Sequence, residues 1–231
     1  MTPVLISGAN RGIGLEFARQ YAAAGATVIA GVRDPDGAKA LKQVAEANSG
    51  RVVIHAVDVA DDASMRGFRQ VVGEQPVDIL IANAGVYGGP GQHRLGDIDF
   101  DDWLRTLNIN TLGALRLANA FYDNLKRGQE KKAVAITSGM GSTAENGGGF
   151  FAYRSSKAAL NNAWKTLSLA VRDDGIACAV FNPGWVKTDM GGPNASITPE
   201  QSVTGLRRQI ARLTLVDTGK FLNWNGGERA W

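Results

Sequence analysis

Val4-Leu5-Ile6-Ser7-Gly8-Ala9-Asn10-Arg11-Gly12-Ile13-Gly14 reads as a short apolar strand that runs straight into a glycine-rich turn. The residues that follow, Leu15 to Ala24, carry apolar side chains at helical spacing, with Gly25 as a stop. Ala26-Thr27-Val28-Ile29-Ala30 is the next strand. Gly8, Gly12 and Gly14 thus sit where a strand becomes a helix inside a βαβ unit, the context that makes a glycine pattern specific. Glycines let the backbone bend tightly and approach a pyrophosphate, which then rests on the helix N-terminus. A plain tight turn is the competing reading. On the first reading Asn10, Arg11 and Ile13, between the glycines, face the same dinucleotide.

The rest of the chain repeats the alternation. Helices are expected over 35–47, 61–73, 99–127, 150–174 and 198–213, and strands over 51–57, 77–82, 131–137, 176–182 and 218–223. The run 51–57 is continuously apolar, as a buried parallel strand would be, and His55 within it is expected to pack in the core. Strands alternating with such helices imply an α/β fold, a single doubly wound (Rossmann-like) parallel β-sheet of about seven strands with helices on both faces. No linker or repeat divides residues 1–231, so a single domain is expected, with a substrate loop at about 186–213.

Composition excludes several classes. The 231 residues are 44% hydrophobic and 20% charged, enough for a substantial core. Net charge is +3 with no Lys/Arg run, so no nucleic-acid patch is indicated. The one cysteine, Cys178, lies in an apolar run and is expected to pack as a small hydrophobe. The two histidines, His55 and His93, and Cys178 give no metal-ligand spacing. No signal-like leader and no run long enough to span a bilayer appears, so a soluble cytoplasmic protein, away from membranes, is expected.

In doubly wound sheets ligands lie at the carboxyl ends of the strands. Gly8, Arg33, Asp58 with Val59, Asn83-Ala84-Gly85, Ser138 and Pro183-Gly184 all fall at those ends. Arg33 closes the second strand, where a guanidinium would pair with the 2′-phosphate of NADP and a carboxylate with the ribose hydroxyls of NAD. Arg11 is expected to reach the same phosphate, and two guanidiniums favour NADP(H), with NAD(H) possible. Asp34 is read either as a ribose ligand or as the cap of the helix at Pro35. Asn110 is intrinsically unfavourable inside a helix and asks for a reason. Tyr153 and Lys157 stand four residues apart, on one helix face. A phenol titrates at about 10, and a neighbouring ammonium is expected to lower that toward neutrality, suiting proton exchange with a carbonyl or alcohol.

These motifs, in this order, resemble the short-chain dehydrogenase/reductase superfamily over nearly the whole chain. The segments Met140-Gly141-Ser142, Tyr153 to Asn161 and Pro183 to Gly192 look more like its C-factor/sniffer-type carbonyl reductases. One departure is the serine: Ser138 lies farther from Tyr153 than is common there, and Ser142 is the fallback. The resemblance implies Tyr153 as general acid/base and Lys157 as its acidifier and the holder of the nicotinamide ribose. It implies Ser138 as donor to the substrate oxygen and Asn110 as the holder of a water that resupplies the proton. Thr188 would bind the carboxamide, with Pro183, Gly184 and Val186 fixing the ring. Tyr87, Phe150, Phe151, Trp185 and Met190 are expected to border a largely apolar pocket that Ser142 also lines, with the loop 189–197 as a flexible lid. His93 is expected to be an exposed loop residue. The resemblance implies an NADP-preferring oxidoreductase for a small-molecule carbonyl or alcohol, built as a homodimer or homotetramer through 99–127 and 150–174. The alternative is a cofactor-binding signalling or regulatory protein of the C-factor kind, with little turnover. Residues 225–231 are expected either to cover the pocket or to dock on a neighbour.

Overall fold

A computed structural model describes residues 2–89 and 94–231, and His93 lies outside them. Seven strands, β1 (Pro3–Ser7), β2 (Thr27–Val32), β3 (Val52–Ala56), β4 (Ile79–Ala82), β5 (Lys132–Ile136), β6 (Ala177–Asn182) and β7 (Lys220–Asn223), form one sheet. Its order is β3-β2-β1-β4-β5-β6-β7, and every neighbouring pair is parallel. The strand order reverses between β1 and β4, which is where such a sheet opens a crevice at its carboxyl edge.

The helices are α1 (Gly12–Ala23), α2 (Lys39–Ala47), α3 (Asp62–Val72), α4 (Phe100–Leu107), α5 (Gly113–Ala120), α6 (Tyr122–Arg127), α7 (Phe151–Ala170) and α8 (Pro199–Arg212). They cover both faces. Phe17 of α1, Leu41 of α2 and Leu206 of α8 pack with Val4 and Ile6 on one side. Phe68 of α3, Leu117 of α5 and Trp164 of α7 pack with Leu5 and Leu80 on the other. Successive residues of β1 thus feed opposite cores, as the period of two requires. β4 and β5 are buried at every position; β4 is apolar throughout, and in β5 only Lys132 is charged, its Nζ bonded to Glu130 and Ala211 O.

Local chemistry sets the helix starts. The Asp61 carboxylate accepts from Ser64 N at 2.5 Å and caps α3. Thr198 and Gln201 form a reciprocal capping box at α8, with Pro199 in the first turn.

Four expectations are corrected. β3 is an edge strand, so Val53 is 44% exposed and His55 is half-buried, tilted on the Phe68 ring at 5.7 Å. Asp34 caps no helix: its Oδ1 accepts from Gly37 N at 3.0 Å in a turn, and α2 starts later, at Lys39. The expected helix 99–127 is α4, a π-helical turn at Asn108–Leu112, α5 and α6, with Phe121 (φ −106°) at the α5–α6 break. The expected helix 150–174 ends at Ala170, and a 3₁₀ turn at Arg172–Asp174 leads to Gly175 at φ 77°.

Trp164 ties α7 to the sheet. It is 1% exposed, and its Nε1 donates to Ala133 O at 3.3 Å. Trp164→Ala should lower stability by about 3–5 kcal/mol, read as a lower urea midpoint with unchanged slope; a loss below about 1 kcal/mol would mean that the site repacks.

Candidate active site

The first six strands each deliver a candidate one or two residues past their ends: Gly8 after β1, Arg33 after β2, Asp58 after β3, Asn83 after β4, Ser138 after β5 and Pro183 after β6. The glycine turn is shaped by backbone crowding. A Cβ on Gly14 would stand 2.2 Å from Gly8 O, and one on Gly8 would stand 2.9 Å from Ala84 Cα. Asn83 braces this turn, Nδ2 donating to Ser7 O at 3.0 Å and Gly8 O at 3.2 Å. Ser7 Oγ in turn accepts from the amides of Asn83 and Ala84, both at 3.1 Å. α1 opens at Gly12 with no capping side chain and no acidic residue in its first turn. Its first-turn amides therefore fit a diphosphate.

Asn10 and Arg33 are exposed at this edge, and Ile13 is half-buried. Arg11 does not join Arg33 here. Its Nη1 bonds Asp189 Oδ2 at 3.1 Å, and a Cβ on Gly12 would meet Thr188 Cγ2 at 3.2 Å. Asp58 Oδ1 accepts from Ala60 N at 2.9 Å, and Val59 is buried against Gly113.

Tyr153 and Lys157 occupy the first two turns of α7, and both are buried. The Ser138 hydroxyl faces the Tyr153 phenol closely enough to lower its pKa, and Ser138 Oγ also accepts from Met140 N at 3.1 Å. Lys157 Nζ donates to Ile136 O at 2.9 Å and stands 5.8 Å from the Tyr153 ring centre. A Cβ on Gly85 would lie 3.6 Å from that Nζ and 3.2 Å from Asn110 Oδ1, so a small residue keeps the crevice open there. Asn110 lies in the π turn. Its Oδ1 accepts from Val86 N at 2.8 Å, and its Nδ2 donates to Val86 O at 2.8 Å and Ser156 Oγ at 3.0 Å. This answers the misfit of an asparagine in mid-helix: the side chain clamps the loop after β4 onto α7, and π turns often mark functional sites.

The expected acidification of Tyr153 is not found. Burial pushes the phenol up to about 12; the Ser138 hydroxyl pulls it back, and the nearby Tyr87 phenol pushes it further. Burial likewise pushes the Lys157 amine down to about 8. Desolvation outweighs attraction because the ammonium is aimed at a backbone carbonyl and not at the phenol.

Around this centre, Tyr87 packs on Tyr153 with ring centres 4.8 Å apart and on Phe150 at 5.3 Å. Phe150 precedes α7 in the left-handed region at φ 53°, a conformation that costs a non-glycine residue of order 1 kcal/mol. Trp185 and Met190 are exposed at 57% and 45%. Two pocket assignments are corrected. Ser142 is buried, donating to Trp231 O at 3.3 Å, so it cannot replace Ser138. Phe151 turns toward α4, 6.1 Å from the Trp103 ring. The expected lid 189–197 is also fastened at its base, by Lys187 N to Ile197 O at 2.8 Å and Ile197 N to Trp185 O at 3.2 Å. Val186 bridges to Ile197, and Thr188 Oγ1 accepts from Gly191 N at 3.1 Å.

Sequence reasoning passed over three polar residues. Ser156 links Asn110 to α7 through Tyr153 O, at 2.8 Å. Asn161 Nδ2 holds Gly141 O at 3.1 Å. Asn182 Oδ1 accepts from Gly139 N at 3.0 Å and Gly184 N at 3.3 Å, joining the loops after β5 and β6. The available signal was a polar side chain inside an otherwise buried face.

A glycine cradle for a diphosphate beside a Ser–Tyr–Lys cluster defines a nicotinamide-dependent oxidoreductase, and known proteins agree. The family model for short chain dehydrogenases matches residues 2–197, and the chain belongs to that family. It is 44% identical over 168 residues to the C-signal of Myxococcus xanthus, covering 72% of this chain and 100% of that one. It is 34% identical over an aligned span of 236 positions to the 1-hydroxy-2-glutathionyl-2-methyl-3-butene dehydrogenase of Rhodococcus sp. (strain AD45), covering 100% of both chains. The NADPH-bound carbonyl reductase from chicken fatty liver superposes with a TM-score of 0.93 at 34% identity, over 100% of this chain and 99% of that one. The carbonyl reductase Sniffer of D. melanogaster gives 0.91 at 30%, over 100% of both. The chain is an NAD(P)H-dependent oxidoreductase of the carbonyl reductase type.

Burying Lys157 carries a stability cost that can be measured. Below pH 8 the folded and unfolded chains both hold this proton, and the cost is full. Between about 8 and the ordinary lysine value of 10.5 the unfolded chain binds more protons, so stability rises with pH. Lys157→Met should therefore be more stable than wild type at pH 7 by about 1–2 kcal/mol, after losing the Ile136 bond. The difference should shrink as pH passes 8, in urea unfolding at stepped pH; a pH-independent difference would contradict a charged amine buried here.

Proposed function

We propose that the chain reduces ketones or aldehydes with NADPH preferred over NADH. One observation carries this reading: the Ser138 hydroxyl and the Tyr153 phenol face one another, one helical turn from Lys157 and beside the glycine cradle. The bound cofactor supplies the hydride. The chain supplies the proton, the oxygen-binding donor and the orientation.

Tyr153 gives its phenolic proton to the substrate oxygen as negative charge develops there, and Ser138 Oγ donates a hydrogen bond to the same oxygen. With a phenol at about 12 the proton-loaded form dominates at neutral pH, which suits the reducing direction. Lys157 holds the nicotinamide ribose hydroxyls and feeds the proton back. Asn110 keeps the loop after β4 in place, and a water at the π turn resupplies the proton. Gly8, Asn10, Gly12, Ile13 and Gly14 hold the diphosphate. Asp58, Val59 and the Asn83–Gly85 turn border the adenine and ribose, and Pro183, Gly184, Val186 and Thr188 border the nicotinamide. Tyr87, Phe150, Trp185 and Met190 give the substrate side an apolar rim.

Arg33, exposed at the end of β2, is the group in reach of a 2′-phosphate, with Arg11 joining it on exchange of Asp189 for the phosphate. The NADPH in the chicken carbonyl reductase supports the same preference. Phe100 and Leu104, exposed at 67% and 65% on α4, support self-association through α4 and α7 as a homodimer or homotetramer. Among the described residues no helix is long and apolar enough to cross a membrane, consistent with a cytoplasmic place of work. The likeness to C-signal favours a second reading, a cofactor-binding regulator, but a regulator needs no buried Tyr–Lys pair.

Tyr153→Phe should lower turnover of a panel of ketones, aldehydes and quinones by at least about a thousandfold, followed by NADPH absorbance, while NADPH still quenches protein fluorescence. Turnover within a few-fold of wild type would remove Tyr153 as the acid. Arg33→Ala should weaken NADPH binding by about tenfold or more and NADH binding hardly at all; equal losses for the two would assign the phosphate elsewhere.

A further inference from the structure

β7 ends in a hairpin that brings the chain back along its own outer edge. Asn223 N donates to Gly227 O at 3.0 Å, Glu228 bridges antiparallel to Leu222, and Arg229 N donates to Phe221 O at 2.7 Å. From there the segment crosses to the loop after β5. The Trp231 ring packs tilted on Phe221 with centres 5.7 Å apart, and the Trp231 backbone oxygen accepts from Ala144 N at 2.9 Å, Thr143 Oγ1 at 3.1 Å and Ser142 Oγ at 3.3 Å. This strap therefore binds its own chain and holds the loop that Ser138 opens.

The guanidinium of Arg229 is the contact nearest to the chemistry. It fills the space beside Gly139, where an added Cβ would be 2.8 Å from Nη2 and 3.0 Å from Cζ. Its Nη2 pairs with Glu145, and its Nη1 donates to Asn223 Oδ1 at 3.3 Å. Asn223 Oδ1 also accepts from Asn182 Nδ2 at 3.0 Å, and Asn182 Oδ1 accepts from Gly139 N. Gly139 is thus gripped on its face by the guanidinium and on its amide by Asn182. On the inner side the same turn is held by Asn161 at Gly141 O, and a Cβ on Gly141 would lie 2.9 Å from Lys157 Cβ. The three-residue turn Gly139–Gly141 is caught between α7 and the strap, and Ser138 leads into it.

We infer that Arg229 is a positioning residue: through Gly139 it fixes the Ser138 hydroxyl at the distance from Tyr153 at which both reach one substrate oxygen. The inference rests on the reductase reading above. Donor placement within fractions of an ångström governs oxyanion stabilisation, so loosening Gly139 acts on turnover and leaves cofactor binding alone.

The test is a double-mutant cycle on the whole chain, using the carbonyl from the panel that wild type reduces fastest. Arg229→Ala should lower kcat by about tenfold, with NADPH affinity unchanged by fluorescence quenching. Arg229→Lys, which keeps the Glu145 pair but not the planar cover, should recover part of the loss. Gly139→Ala, which displaces the guanidinium while keeping the Trp231 bonds, should reproduce it even if Arg229→Ala folds poorly. On a Ser138→Ala background Arg229→Ala should cost little more, because it acts through a hydroxyl already removed. If Ser138→Ala is slow and Arg229→Ala costs the same with and without it, the positioning role falls and the catalytic assignment stands. If Ser138→Ala turns over like wild type, the catalytic assignment of Ser138 falls, and the inference with it.

Discussion

A primary amine held out of water is the constraint from which the rest of the site follows. Lys157 sits beneath the phenol of Tyr153 with its ammonium on the Ile136 carbonyl, at the carboxyl end of β5. Water cannot solvate it there, so its proton is held more loosely than usual. That costs stability, and it also places a titratable amine within reach of the crevice floor at Gly85. The trade is of the kind active sites make, where stability is given up for a group poised near neutral pH.

The surrounding polar residues have one purpose, to keep this amine and its phenol in register with the strand ends. Asn110 clamps the loop after β4 to α7 by way of Ser156, and Asn83 locks the glycine turn against the same loop. Asn182 spans the loops after β5 and β6. The amides of Asn110 and Asn182 have both ends engaged, and Asn83 Nδ2 donates twice, so the crevice is lined by elements that are already cross-tied. Little reorganisation is left for the moment of reaction.

Much of this was legible in the sequence, for physical reasons. A strand, three glycines and a helix in succession admit few folds, and alternating strands and helices fix a parallel sheet. Once the sheet is parallel, residues at strand ends must gather on one edge, and Gly8, Asn83, Ser138 and Pro183 do so. What could not be read depends on contacts distant along the chain. That β3 lies at the margin, so that His55 is only half covered, depends on strand order. That the helix at 99–127 breaks around Asn110 depends on the Val86 backbone lying beside it. That Ser142 is sealed depends on Trp231, far along the chain. The direction of the Tyr153 shift depends on how completely the fold removes water, which local spacing does not report.

The two rims of the sheet differ, and the difference bears on how copies of the chain meet. At the β7 rim residues 228–229 already occupy backbone groups of Leu222 and Phe221, so a foreign strand finds those positions taken. At the opposite rim β3 has one neighbour and presents Val53 to solvent. Any misassembly by strand addition is therefore directed to the far rim, away from the catalytic half of the molecule.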